Sequence, residues 1–447
     1  MRRQALDRAH RFLAKRAGFL PNRLVSGDLD GIRRVVVIPV LAEEERLFKT
    51  LDSLDRNPAE ELAETLVICV VNNRAGPHAR PEQVADNQRT LTHLENLVHG
   101  RSAATQPRID PGSLSLAYVD ASSPGCEIGP KTGVGEGRRI GLDLGLSVLT
   151  ENAEDPGLLI CLDADTLVEA DYLSEVQKHF DGRDSWAAVV GYAHTLPTEA
   201  RGRAAIVRYE SFLRYHELGL RSARSPYAFP TIGSTMVTSC DAYVSAGGMN
   251  RRQAGEDFYF LQELAKTGGV SRIDSTTVHP SARSSDRVPF GTGATVGRHL
   301  SGADDGSTVY HPDVYKILGD WLFLVVNDLD RGASELLAEA GGISPQLREF
   351  LELNRFEEIW PRLQQNAPHH AGLELQFHRW FDGFKTLKLI HFLRDHQLPE
   401  SPIFDAIVRI EPSCSGDVTS DLIDDLEAQE TLLEHLRRRC AETDSER

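Results

Sequence analysis

Short, continuous apolar runs alternate along this chain with stretches in which apolar residues recur every three or four positions. Runs of the first kind are Arg34-Val35-Val36-Val37-Ile38-Pro39-Val40, Leu66-Val67-Ile68-Cys69-Val70-Val71, Ser115-Leu116-Ala117-Tyr118-Val119-Asp120, Leu158-Leu159-Ile160-Cys161-Leu162 and Ala187-Ala188-Val189-Val190-Gly191-Tyr192. Rich in β-branched residues and closed by polar ones, they predict buried strands, the first ending at Pro39. Between them Leu47, Phe48, Leu51 and Leu54 share one helical face. The same spacing recurs in Leu91, Leu94, Leu97 and Val98, and in Tyr172, Leu173, Val176 and Phe180. Strands separated by helices imply right-handed parallel crossovers, hence an α/β sheet. Further on, Gly233-Ser234-Thr235-Met236-Val237 leads into Ala242 to Met249, a strand, a short helix and a glycine stop.

Beyond residue 300 the period becomes wholly helical, over Asp320 to Leu329, Pro345 to Phe356, Leu373 to Leu393 and Ser420 to Arg439. The last has Ser420 as cap, Asp421, Asp424 and Asp425 in its first turn and Arg437, Arg438 and Arg439 in its last. The pattern divides the chain into a basic helical segment over 1–30, an α/β domain over 31–299 and a helical C-terminal domain over 300–447.

At 447 residues the chain has room for two cores. A formal net charge of -17 argues against a general nucleic-acid binder, whose affinity for a polyanion comes from clustered Lys and Arg. Six scattered cysteines lack the spacing of a zinc site and read as free thiols of a reducing compartment. No apolar run approaches the roughly 20 residues that span a bilayer, and no signal peptide is evident, so a cytoplasmic location is expected. The N-terminal Arg2, Arg3, Arg8, Arg11, Lys15, Arg16 and Arg23 interleave with Leu6, Phe12, Leu13, Phe19 and Leu20. Such a helix either touches an anionic membrane surface or packs on the domain with its charges solvated.

Chemistry concentrates where the fourth apolar run ends, in Asp163-Ala164-Asp165. Carboxylates at the C-terminal edge of a parallel strand stand where open α/β sheets bind ligands, and hard oxygen donors there suit a divalent cation. A pair that merely ends a strand and caps the next helix reads the same way. Gly133, Gly135 and Gly137, with Lys131, Arg138 and Arg139 beside them, read either as a phosphate cradle or as a glycine-rich helix start. Arg201, Arg203, Arg208 and Arg214 predict a helix with a wet basic face toward an anionic acceptor. Glu256 and Asp257 open a helix, as caps or as catalytic groups. Polar, basic and glycine-rich, the segment His279 to Gly293 predicts a mobile lid, with His279 just beyond the strand Ser275 to Val278.

In their order along roughly residues 31 to 295, these pieces resemble the family 2 type of glycosyltransferase with the GT-A fold. The pieces are Ile38-Pro39-Val40 with Glu43, Val70-Val71-Asn72-Asn73, Gly133 to Gly141 with Arg138, Asp163-Ala164-Asp165, Gly233-Ser234-Thr235 before Gly247-Gly248-Met249, and Gly255-Glu256-Asp257. The resemblance implies a Rossmann-like, mostly parallel sheet flanked by helices. Pro39, Val40, Glu43 and Asn73 would line the nucleotide pocket, and Lys131 and Arg138 would face the base or diphosphate. Asp163 and Ala164 would hold the ribose side, and Asp165 would ligate Mn²⁺ or Mg²⁺, with Asp163 contributing. Gly233 and Ser234 would lie toward the acceptor, Asp257 would serve as general base and Glu256 would position. His279 resembles the histidine that completes the metal shell in retaining relatives such as mannosylglycerate synthase and glucosyl-3-phosphoglycerate synthase. Two departures stand out: Ala42 where many relatives have asparagine, and Asn73 where many have aspartate, which leaves uracil unassured and guanine open. Gln376-Phe377-His378-Arg379-Trp380 also looks like the acceptor-end motif of processive polysaccharide synthases, whose transmembrane channel this chain lacks.

The expected activity is therefore that of a metal-dependent hexosyltransferase, moving a sugar from a nucleotide-diphosphate sugar to a hydroxyl of a small molecule or glycan. Two alternatives stay open: a nucleotidyltransferase acting on a sugar phosphate, and a catalytically silent nucleotide-sugar-binding scaffold. No nucleic-acid partner is expected, and any membrane contact is peripheral.

Overall fold

A computed structural model of the chain describes residues 2–16, 24–101, 114–152, 157–181, 185–287, 291–304, 306–367, 369–416 and 425–442. The apolar runs are strands β2 (Arg34–Val40), β3 (Thr65–Asn72), β4 (Ser115–Ala121), β5 (Leu158–Cys161) and β7 (Ala187–Tyr192), joined by β1 (Leu24–Ser26), β6 (Thr166–Val168), β8 (Met236–Ser239) and β9 (Ser271–Pro280). Among the described residues they form one nine-stranded sheet in the order β1-β4-β3-β2-β5-β8-β7-β9-β6. β2 pairs parallel with β3 and with β5, β3 with β4, and β7 with β9. β1, β8 and β6 run against their neighbours. The fold is thus α/β, with a mixed, mostly parallel sheet. Every residue of β2, β3, β5 and β7 is buried, which is why these strands read as unbroken apolar runs rather than alternations.

Three strand expectations shift. β2 continues through Pro39 to Val40, because the β5 ladder has already ended at Val37 and a missing N–H beyond it costs no bond on that side. A three-residue strand, β6, intervenes between Asp165 and the helix Tyr172–Asp181; it is too short to leave a pattern. His279 lies inside β9, paired with Leu167, rather than beyond the strand.

The helix Val134–Asn152 sits close against β2 and β3. A Cβ at Gly141 would overlap Val37, and one at Gly145 would lie 2.8 Å from Val35 Cγ1. At its start, a Cβ at Gly133 would meet Gln253 Cα at 2.8 Å, and one at Gly137 would meet Asn72 Nδ2 at 2.9 Å. Close packing therefore accounts for these glycines, as a glycine-rich helix start requires.

The N-terminal helix Arg2–Arg16 packs on the same domain. Ala9 is buried, Phe12 meets Tyr243 edge-on at 5.8 Å, and Arg16 donates to Asp143 at 3.0 Å. Leu6, Phe12 and Leu13 are half-buried; Phe19, Leu20 and Arg23 lie outside the described residues.

By its internal contacts the chain divides into Met1–Thr195 with Thr231–Ser281, and Leu196–Pro230 with Ala282–Arg447. The second unit is helical. Its core holds Trp321, Phe356, Trp360, Phe377 and Phe381, edge-on or stacked at centroid separations of 5.3 to 6.2 Å. It includes the helix Ala200–Ser222, most of whose arginines are spent internally. Arg214 is buried beside Glu210 at 3.3 Å, Arg437 donates to Glu210 at 2.8 and 2.9 Å, and Arg203 donates to Glu430 at 2.6 Å. Of the expected basic face, Arg203 pairs with Glu430 and Arg208 bonds to Gln429 of the helix Leu426–Ala441, Arg214 pairs within its own helix, and Arg201 stays exposed. That last helix is capped by Asp425, which accepts from the Ala428 N–H at 3.1 Å. The Ser420, Asp421 and Asp424 expected to start it lie outside the described residues. In the helix His370–Trp380, Phe377 belongs to the core, Gln376, His378 and Trp380 are half-buried and Arg379 is exposed. Among the described residues no helix is long and apolar enough to cross a membrane.

Candidate functional site

The chain passes outward from β2 to β3 and β4, then returns to the other side of β2 as β5. Reversal of this kind opens a crevice outside the C-terminal ends of β2 and β5, the place where α/β sheets bind ligands. Glu43 follows β2 and is buried, Asn73 follows β3 and is buried, and Asp163 follows β5 with about a third of its side chain exposed.

The turn carrying the two aspartates is anchored from several sides. Leu162 N–H donates to Val37 O at 3.1 Å, extending the β5 ladder by one bond, and Thr166 N–H donates to Asp163 O at 3.1 Å. Thr50, on the helix Glu44–Asp55, donates its hydroxyl to Ala164 O at 3.0 Å. Ala164 is buried, while Asp163 and Asp165 on either side are half-buried. The spacing of one residue thus leaves two carboxylates partly exposed and turns a methyl group into the protein.

Arg138 stands at the centre of the site. Almost wholly buried, it donates through Nη2 to Asp163 and through Nη1 to Glu256. Gly233 makes room for it, since a Cβ there would collide with the guanidinium. Burial alone would weaken its hold on the proton, but Asp163 and the other nearby anions outweigh burial and raise its pKa. Rather than standing open toward a ligand, as expected, Arg138 joins two of the predicted site carboxylates. Among the described residues its Nε and the hydroxyl of fully buried Ser234 have no partner.

Glu256 and Asp257 open the helix Glu256–Thr267. Gly255, at φ 69°, takes the left-handed cap that a side-chain-bearing residue adopts poorly, and Asn250 fixes the turn by donating to Glu256 O at 2.8 Å. With neither side chain needed as the cap, Glu256 turns to Arg138, and Asp257 accepts from the Phe258 N–H at 2.8 Å. Burial pushes the Asp257 carboxyl above the usual carboxylate range, against the opposing pull of Arg138. A carboxylate so shifted is the better proton acceptor.

The remaining expected residues are more dispersed. Lys131 is exposed, Pro39 and Val40 are buried within β2, and His279 is half-buried in β9. Its Nδ1 lies 3.0 Å from the carbonyl of Ala193 and its Nε2 lies 2.7 Å from Glu169 Oε1. Both ring nitrogens are engaged. Among the described residues no three His, Cys, Asp or Glu side chains converge as a ready-made metal site. In the segment expected to form a lid, Ser285 N–H donates to Gly293 O at 3.0 Å, and Val288, Pro289 and Phe290 lie outside the described residues.

Sequence reasoning missed a second layer. Asn87 and Ser122 bind Asn73, and Glu136, Arg139 and Asp143 on the helix Val134–Asn152 form a charged network with Arg251 and Tyr243. Ser122 was detectable in principle, because like Asn73 it directly follows a parallel strand. Asn87 carries only the faint signal of a poor helix former inside a helix.

No protein-family model matches the chain, and no curated protein matches it in sequence. Among solved structures the chain is similar to the Staphylococcus aureus TarS fragment 1–349 in complex with UDP-GlcNAc, at 13% identity over 91% of this chain and 92% of that one, with a TM-score of 0.37. It is also similar to the same fragment with UDP, at 11% identity over 82% of this chain and 92% of that one, with a TM-score of 0.36. Mycobacterium tuberculosis glucosyl-3-phosphoglycerate synthase is similar at 13% identity over 62% of this chain and 81% of that one, with a TM-score of 0.30.

Proposed function

We propose that the chain is a glycosyltransferase of the GT-A type, moving a sugar from a nucleotide-diphosphate sugar to a hydroxyl acceptor with the help of Mn²⁺ or Mg²⁺. The observation that carries this reading is the meeting of Asp163, Arg138, Glu256 and Asp257 at the C-terminal edge of the parallel strands, beside the switch point between β2 and β5. Its order along the chain is that of the family 2 resemblance.

In this reading Asp257 takes the proton from the acceptor hydroxyl, and its raised proton affinity suits that task. Glu256, tied to Arg138, holds the helix start in position. Asp165 and Asp163 are hard oxygen donors one residue apart and fit a divalent cation. Bound there, the cation would neutralise the charge that gathers on the departing nucleoside diphosphate. His279 joins the shell only on giving up its bond to Glu169.

The test is product analysis. Incubated with nucleotide sugars, Mn²⁺ and candidate acceptors, the chain should release nucleoside diphosphate; release of pyrophosphate would identify a nucleotidyltransferase instead. Asp165→Ala should abolish turnover and metal-dependent nucleotide binding, and undiminished activity in that variant would remove the metal assignment.

A further inference from the structure

Gly247 and Gly248, at φ 81° and 75°, form the turn between the short helix Cys240–Ser245 and the loop that leads to Glu256 and Asp257. Glycine has more backbone freedom than any other residue, so a turn built on two of them keeps one shape only where its surroundings hold it. Here the hold comes from the far end of the sequence. Arg16, the last residue of the helix Arg2–Arg16, donates through Nη2 to the carbonyl of Gly247. Through Nη1 it donates to both oxygens of Asp143, at 3.1 and 3.0 Å. Its guanidinium lies over the Phe12 ring, 4.4 Å from the centroid, and a Cβ at Gly248 would come within 2.7 Å of Phe12 Cζ. An arginine fork and an aromatic ring thus close one side of the turn.

Two routes lead from this anchor to the helix that Glu256 and Asp257 open. Asp143 also accepts from the Tyr243 hydroxyl at 2.7 Å, and Tyr243 meets Phe260 of the helix Glu256–Thr267 edge-on at 5.8 Å. On the other route Asp143 accepts from Arg139 at 3.0 Å, Arg139 pairs with Glu136, and Glu136 accepts from Arg251 at 2.8 Å. Arg16, Asp143, Arg139, Glu136 and Arg251 therefore alternate in sign from the turn to the loop, where the adjacent Asn250 donates to Glu256 O. Removing Arg16 leaves Asp143 with Arg139 and Tyr243, so no buried charge loses its last partner. What disappears is the hold on the Gly247 carbonyl.

We propose that Arg16 is a positioning residue for Asp257, fixing through the Gly247–Gly248 turn the place from which the acceptor's proton is taken. This rests on the glycosyltransferase reading above, in which Asp257 is the base. Misplacing a reacting group by about 1 Å lowers turnover by as much as about 100-fold. Donor affinity, in the same reading, rests on residues that follow β2, β3 and β5, so turnover and donor binding respond differently to the loss of Arg16.

The experiment compares the full-length wild type with Arg16→Gln and Arg8→Gln. Arg8 belongs to the same helix and pairs with Asp241 at 2.9 Å, so R8Q removes an equal charge and another of that helix's contacts. Release of nucleoside diphosphate from UDP- and GDP-linked hexoses with Mn²⁺ gives kcat and donor KM, and backbone amide exchange is followed over residues 246–258. In R16Q kcat is expected to fall about tenfold or more, with donor KM and Tm close to those of the wild type and faster exchange across 246–258. R8Q should match the wild type in kcat and exchange. Wild-type kcat in R16Q, an equal loss in R8Q, or a loss in R16Q that comes with a lowered Tm and a raised KM overturns the inference while leaving the glycosyltransferase reading in place. A wild type inert toward the whole panel overturns both.

Discussion

Arg138 and Glu256 are 118 residues apart, yet their side chains meet as an ion pair in which both are almost wholly buried. The same guanidinium reaches Asp163, so one cation ties the turn after β5 to the start of the helix Glu256–Thr267. Removing one partner of a buried pair leaves the other charge unpaired in a medium that solvates it poorly.

Replacing Arg138 by Met is therefore expected to destabilise the sheet domain by about 3–5 kcal/mol, read from urea unfolding. Gly233→Ala is the milder probe. Its new methyl displaces the guanidinium without removing it, at a cost of about 1–3 kcal/mol. Turnover should fall further than that loss of stability explains. Wild-type stability in R138M would show that the pair contributes nothing net.

Gly141→Ala separates helix propensity from packing. Alanine favours an exposed helix interior by about 1 kcal/mol over glycine. At position 141, however, the added Cβ overlaps Val37 in a strand with no room to move. Net destabilisation of about 1–3 kcal/mol is expected in urea unfolding, and a gain would mean the helix can lift from the sheet at little cost.

The helical unit should weaken in acid through His216. Its Nδ1 is 2.8 Å from the Tyr315 hydroxyl, its ring stacks on Phe212 at 6.2 Å, and burial pulls its pKa down to about 4. The unfolded chain takes up the proton nearer pH 6.5, so between about 6.5 and 4 the unfolded state binds more protons than the folded one. Stability is present above that window and lost as pH falls through it, by a contribution on the order of 1–3 kcal/mol. His216→Gln should flatten the pH dependence of the melting temperature over this range; an unchanged slope would assign it to other groups.

Two ion pairs that join the last helix to Ala200–Ser222 differ in burial. Arg437 pairs with Glu210, which is fully buried, whereas Arg203 pairs with Glu430 at a more exposed position. Arg437→Met should cost about 3 kcal/mol, and Arg203→Met distinctly less. Equal losses in thermal unfolding would contradict the burial argument.

Which parts of this protein were legible in advance follows from the range of the forces involved. β2, β3, β5 and β7 could be read because strands covered on both faces must be apolar at every position, and that requirement is written locally. The helical period beyond residue 300 was readable for the same reason, as were the carboxylates that close β5. β6 and the exact place of His279 were not, since a three-residue strand is made by its partner rather than by its own pattern.

Local sequence also left each charged or glycine-rich motif with two meanings, and only tertiary structure chose between them. Gly133 to Gly145 became a surface for close packing because the sheet and the 250–253 turn lie within reach of absent Cβ atoms. Arg203 and Arg437 became internal partners because the helices Ala200–Ser222 and Leu426–Ala441, more than 200 residues apart in sequence, each carry a carboxylate for the other's arginine. Asn73 was an amide of undetermined direction until the N–H of Ala42, through Asn87, set it. Composition and periodicity determine what must be buried; which charge meets which, and which end of an amide faces outward, depends on groups brought together by the fold from distant parts of the chain.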